Sequence, residues 1–78
     1  MIAMTNNLSH HQIAEYLVSN AISMMTKYLM EDRHCSIAEA MDVIYGSKLL
    51  ELLQQEDDEL YVQDPAYLYE LLQQELAV

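Results

Sequence analysis

The sequence predicts an all-α fold, in which one long N-terminal helix is followed by two or three shorter helices. The 78 residues include one Gly and one Pro, and they are rich in Leu, Ala, Met, Glu and Gln, which favour helices. Apolar residues also recur at intervals of three and four, the spacing that places them on one face of a helix. We expect one domain, 1–78, because the chain is too short for two, and we expect residues 1–8 to fray.

The first helix is predicted to run from about His10 to about Asp32. Ser9 and Gln12 have the spacing of a capping box, in which each side chain accepts a hydrogen bond from the backbone N–H of the other residue. The polar segment 31–34 is predicted to form the loop after this helix. The apolar residues at helical spacing are Ile13, Leu17, Ala21, Met24, Met25 and Tyr28.

Two shorter helices are predicted next, each beginning at a serine. Ser36 and Glu39 repeat the capping-box spacing, and Gly46 is the residue type that commonly ends a helix. Ser47 is a second N-cap, and the short apolar helix after it is predicted to end by Gln55.

The last helix follows an acidic segment. Residues 56–59 are four carboxylates, which the negative end of a helix dipole disfavours, so we expect a solvated turn there. Residues 60–63 are predicted to be weakly extended. Asp64 is a good N-cap and Pro65 suits the first helical position, so a helix is predicted from this point to about Leu76.

The charge is strongly negative and unevenly distributed. Thirteen Asp and Glu against three Lys and Arg give a formal charge of −10, which disfavours nucleic acid and anionic membranes as partners. Residues 49–78 hold eight carboxylates and no Lys or Arg, whereas residues 1–30 hold Glu15 and Lys27 alone. This asymmetry predicts a protein partner that is basic, since complementary charge speeds and selects an encounter.

Tyrosines accompany the acidic half of the chain. All six aromatic residues are Tyr, and four of them lie between Tyr45 and Tyr69. Tyr is enriched at protein interfaces, although rings that border a small core would give the same pattern. The predicted contact surface for the basic partner consists of Tyr45, Glu56, Asp57, Asp58, Glu59, Tyr61, Tyr67 and Tyr69.

A homodimer is also predicted, because a domain of this size is marginally stable and a single cysteine excludes an internal disulfide framework. A self-sufficient helical monomer is the alternative. The near-neutral first helix is the predicted self-association face, through Ile13, Leu17, Met24 and Tyr28. A structural homo-oligomer without any other partner is a further alternative function.

No catalytic residue, metal site or cofactor is predicted, and the chain is interpreted as a non-enzymatic interaction module. Adjacent residues on a helix point about 100° apart, so His10 and His11 do not share a face. Cys35 beside His34 would need a base aimed at its sulfur and an orienting third group to act as a nucleophile, and only one of the required roles is filled. A small metal or thiol sensor that uses His34 and Cys35 remains an alternative from a different class.

A cytoplasmic location is expected. A lone thiol fits a reducing compartment, and no apolar run is long enough to cross a bilayer. The first eleven residues lack both the basic residues and the long apolar stretch of a signal peptide.

Three stretches carry a resemblance to a known type of protein: 36–41 (SIAEAM), 45–49 (YGSKL) and 60–67 (LYVQDPAY). They resemble short bacterial proteins that form all-helical domains of unknown function, some of which are thought to be encoded beside genes for toxins of the ADP-ribosyltransferase type. The likeness covers about half of the chain. It implies a helical fold and an antitoxin-like or regulatory role. It carries over no functional residue, because no catalytic motif is shared.

Overall fold

A computed structural model describes residues 9–55 and 59–77, and in these ranges the fold is all-α, as predicted. One long helix is followed by three shorter α-helices, with a 3₁₀ turn before the last of them. The elements are α1 (His10–Arg33), α2 (Ile37–Tyr45), α3 (Lys48–Leu53), the 3₁₀ turn (Leu60–Val62) and α4 (Pro65–Leu76).

Both predicted capping boxes are confirmed. At the start of α1, Ser9 Oγ accepts from the Gln12 N–H at 3.1 Å, and Gln12 Oε1 accepts from the Ser9 N–H at 2.9 Å. At the start of α2, Ser36 Oγ accepts from the Glu39 N–H at 3.1 Å, and Glu39 Oε1 accepts from the Ser36 N–H at 2.8 Å. Each box therefore satisfies two backbone donors that a helix start would otherwise leave unpaired.

The two remaining predicted caps are also confirmed. Ser47 Oγ accepts from the Leu50 N–H at 3.2 Å, and Asp64 Oδ1 accepts from the Ala66 N–H at 2.9 Å. Pro65 occupies the start of α4, where its missing N–H costs nothing.

The loop after α1 is shorter than predicted. Residues 31–33 continue the helix, and His34 ends it in the left-handed conformation with φ of 52°. A residue in the left-handed conformation turns the chain sharply at the end of a helix. The connection to α2 therefore needs only residues 34–36. Gly46 ends α2 as predicted, but with φ of −90° it stays in the right-handed region.

The prediction of an extended segment at 60–63 was wrong, because residues 60–62 form a 3₁₀ turn. Glu59 enters this turn in the left-handed conformation, with φ of 52°. The turn brings Tyr61 into the core, where its side chain is 3% exposed.

The core lies between α1 and the shorter elements. α1 contacts α2, α4 and the 3₁₀ turn, and the small buried side chains Ala14 and Ala21 let these elements approach its backbone. The largest fully buried side chains are Met25, Leu29, Ile44, Leu53, Leu68 and Leu72.

The end of α4 is tied to the start of α3 by one carboxylate. Glu75 Oε2 accepts from the Lys48 N–H at 2.8 Å, and Glu75 Oε1 accepts from the Leu49 N–H at 3.1 Å. A side chain 26 or 27 residues away thus supplies acceptors for backbone donors that α3 cannot satisfy itself.

No helix in the described part of the chain has both the length and the apolar character that crossing a membrane requires.

Candidate functional site

The four predicted contact tyrosines lie in different environments. Tyr45 and Tyr67 are exposed, with 56% and 48% of their surface accessible. Tyr61 is buried in the core, so it cannot offer its ring to a partner as predicted. Tyr69 is half-buried and hydrogen-bonded within the fold. The structure therefore leaves two of these rings open to a partner and commits the other two to packing.

The predicted acidic turn is only partly described. Glu59 is exposed, whereas Glu56, Asp57 and Asp58 lie outside the described residues. Glu51 and Glu70 are also exposed, although the prediction did not include them. No hydrogen bond or ion pair joins Glu51, Glu59 or Glu70 to another described side chain.

Other carboxylates of the C-terminal half have internal roles. Asp64 caps α4, and Glu75 binds the start of α3. Both are among the eight carboxylates of residues 49–78, and Asp64 was predicted to be an N-cap. Only the capping role of Asp64 has a local signal, namely the Pro65 that follows it.

Tyr69 is the centre of a polar contact between α4 and α1. Its hydroxyl donates to Asp32 Oδ2 at 2.6 Å, and Gln73 Nε2 lies 3.5 Å from the same oxygen. The ring packs on Tyr28, with centroids 5.2 Å apart and planes tilted by 51°. Partial burial, followed by the hydrogen bond to Asp32 and its negative charge, raises the pKa of Tyr69 to about 12. This arrangement stabilises helix packing.

The predicted self-association face is partly engaged. Ile13 is 45% exposed, Leu17 and Met24 are half-buried, and Tyr28 packs on Tyr69. The open end of this face is therefore Ile13, near the start of α1. Self-association through this face stays a prediction.

A groove between α1 and α2 was not predicted. Its larger hollow has a volume of about 580 Å³ and lies between α1, the end of α2 and α3; its smaller hollow has about 220 Å³ and lies between α1 and the start of α2. Ile22 lines both hollows. We call these two hollows together the α1–α2 groove. Its other lining residues are His11, Ala14, Glu15, Val18, Ser19, Ser23, Thr26, Ile37, Met41, Tyr45, Leu53 and Gln54.

The sequence does contain a signal for this groove. Ile37, Met41 and Tyr45 follow one another at intervals of four on α2, so they lie on one face. All three are exposed, at 58%, 36% and 56%. The spacing alone predicts a buried face, because an apolar stripe on a helix normally faces a core. Only the packing of α2 shows that Ala40 and Ile44 fill that role instead.

The residues of the alternative sensor, His34 and Cys35, lie directly after α1. The Cys35 thiol is 3.7 Å from the Leu29 carbonyl oxygen, to which it donates, and His34 is exposed at the end of α1. His11 Nε2 and Glu15 Oε2 are 3.3 Å apart on the surface. Within the described ranges, no three His, Cys, Asp or Glu side chains are grouped so that they could hold a metal ion.

Comparison with known protein families, with curated proteins and with solved structures returns no significant match. The resemblance to short bacterial helical proteins therefore stays a prediction.

Proposed function

We propose that the protein is a non-enzymatic interaction module whose acidic C-terminal half binds a basic protein. The observation that carries the proposal is the charge of this half: residues 49–78 contain eight carboxylates and no Lys or Arg. Three of these carboxylates, on Glu51, Glu59 and Glu70, are exposed, and none forms an ion pair with another described residue. Unpaired charges of one sign attract an oppositely charged partner and accelerate its encounter.

The exposed tyrosines support this proposal. Tyr67 lies in the first turn of α4, and Tyr45 ends α2. A half-exposed phenol offers an apolar ring together with a polar hydroxyl, which suits a contact with another protein. Together with the resemblance noted above, these features favour an antitoxin-like or regulatory role in which the module binds a basic toxin or regulator in the cytoplasm.

The test is capture from the native host, with charge reversal as the discriminator. Glu70→Lys should weaken retention of a stoichiometric basic partner, and higher salt should weaken it further, because exposed charges are screened. Glu31→Lys is the matched control: it changes the net charge equally, on an exposed residue outside the C-terminal half. The proposal fails if no stoichiometric partner is retained at low or high salt, or if both variants behave alike.

We propose homodimer formation as a second property, carried by the 45% exposure of Ile13 on a near-neutral face of α1. Ile13→Asp should reduce the molar mass measured by light scattering at micromolar concentration. A native chain that is monomeric at every concentration measured would contradict this proposal.

A further inference from the structure

The exposed face of α2 is an apolar stripe with no cover in the described fold. Ile37, Met41 and Tyr45 are each at least 36% exposed. The distance along the helix from Ile37 to Tyr45 is about 12 Å, at about 1.5 Å per residue. This length matches about two turns of a second helix.

The α1 side of the groove leaves room for such a helix. Ser19, Ser23 and Thr26 line the hollows there, and their side chains are small. Ile22 lines both hollows, and the half-buried Val18 adds apolar surface to the larger one. An apolar floor with small residues along one wall is the shape into which an amphipathic helix fits.

The charge around the groove indicates what kind of helix this is. Glu15 lines the larger hollow, where its carboxylate lies 3.3 Å from His11 Nε2, and its side chain is 68% exposed. Asp42 is exposed three residues before Tyr45, so the two are neighbours on the surface of α2. No Lys or Arg is among the described residues that line either hollow. A second copy of the chain would bring these carboxylates towards one another, whereas Lys and Arg flanking an apolar face would complement them.

We propose that the α1–α2 groove binds a basic amphipathic helix of another protein. The apolar residues of that helix pack on the stripe Ile37, Met41 and Tyr45, and its flanking Lys or Arg residues face Glu15 and Asp42. The inference does not depend on the acidic surface of Glu51, Glu59 and Glu70, which lies outside the groove lining. The groove is a second binding site, and its apolar stripe gives it a specificity different from that of the acidic surface.

The experiment uses the full chain and a designed peptide of about 18 residues, long enough for about five helical turns. The peptide contains only Leu and Lys, with Leu on one helical face. An isomer with the same composition but shuffled Leu positions tests the need for that face. A counterpart with Glu in place of Lys tests the charge. Binding is measured by fluorescence anisotropy, and the site is mapped by backbone amide shifts in NMR.

Two double variants are compared, and each replaces two exposed apolar side chains with Ser. Ile37→Ser with Met41→Ser removes most of the stripe, and we expect it to weaken binding of the amphipathic peptide about tenfold. Leu52→Ser with Val62→Ser is the matched control, because these side chains are 44% and 56% exposed but do not line the groove. Thermal unfolding of both variants shows whether the fold is kept.

Tighter binding of the amphipathic peptide than of either control peptide, with shifts at residues 18–26 and 37–45, supports the proposal. Equal binding of the shuffled or acidic peptide overturns it. Shifts confined to residues 59–77, which do not line the groove, also overturn it, and they leave the acidic-surface proposal intact. Shifts in the groove that change with the concentration of the protein alone identify a second copy as the occupant and overturn it as well. If the variant Ile37→Ser with Met41→Ser keeps its fold and still binds the amphipathic peptide as tightly as the unaltered chain, the proposal is also overturned.

Discussion

The hydroxyl of Tyr69 donates a hydrogen bond of 2.6 Å to the carboxylate of Asp32, and this bond joins α4 to the last turn of α1. Tyr28 lies one turn before Asp32 on α1 and packs against the Tyr69 ring. Gln73 lies one turn after Tyr69 on α4 and approaches the same carboxylate oxygen. Two i, i+4 pairs thus meet across the helix interface and fix its register.

Removing this hydroxyl should destabilise the fold. We expect Tyr69→Phe to lower the free energy of unfolding by about 1 kcal/mol, because the ring packing is kept while one hydrogen bond is lost. Chemical denaturation at neutral pH measures the change. Tyr67→Phe is the control: Tyr67 is 48% exposed, and we expect a change within about 0.5 kcal/mol. Equal effects of the two substitutions would contradict a role for the Asp32 contact.

The same contact predicts a loss of stability in strong base. The fold raises the pKa of Tyr69 to about 12, above the value of about 10 for an unperturbed phenol. The folded chain therefore holds this proton more tightly than the unfolded chain. The resulting stabilisation is intact below pH of about 10 and is lost as the pH rises towards about 12.

Denaturation midpoints across that interval test this prediction. The unaltered chain should lose more stability between pH of about 10 and about 12 than Tyr69→Phe, which has no proton to lose at this position. Parallel curves for the two chains would show that the Tyr69 hydroxyl does not contribute to the pH dependence.

Removal of the Glu75 carboxylate should destabilise the contact between α3 and α4. Glu75→Ala leaves the N–H groups of Lys48 and Leu49 without their acceptors, and loss of a comparable cap costs about 1 kcal/mol. Thermal or chemical unfolding measures this loss. Glu70→Ala removes the same charge from an exposed position of the same helix, and it should be near neutral. A smaller effect for Glu75→Ala than for this control would contradict the capping role.

The helix starts could be predicted because their signals are local. Ser9, Ser36, Ser47 and Asp64 each bond a backbone N–H two or three residues further on, so a short window of sequence contains the whole interaction. The end of α1 was less predictable. It depends on the left-handed conformation of His34, and a histidine does not specify that conformation strongly.

The candidate site was less predictable, because its contacts are distant in sequence. Tyr69 and Asp32 are 37 residues apart, and Glu75 and Lys48 are 27 apart. Composition marked the tyrosines and the carboxylates as one surface. The packing of α4 and the 3₁₀ turn instead assigns Tyr61 to the core and Tyr69 to a helix contact. Which side chains remain for a partner follows from that packing.

The capping box at α2 predicts a loss of stability in acid. The hydrogen bond from the Ser36 backbone N–H, with a smaller effect of the Ser36 side chain, lowers the pKa of Glu39. Stabilisation by a carboxylate with a lowered pKa is present above its ordinary pKa and is lost as the pH falls through the lowered value. Glu39→Gln should keep the box, as Gln12 does at α1, and should lose less stability on acidification than the unaltered chain. Denaturation at neutral and acidic pH makes the comparison. An NMR titration of Glu39 that gives an ordinary or raised pKa would contradict the prediction.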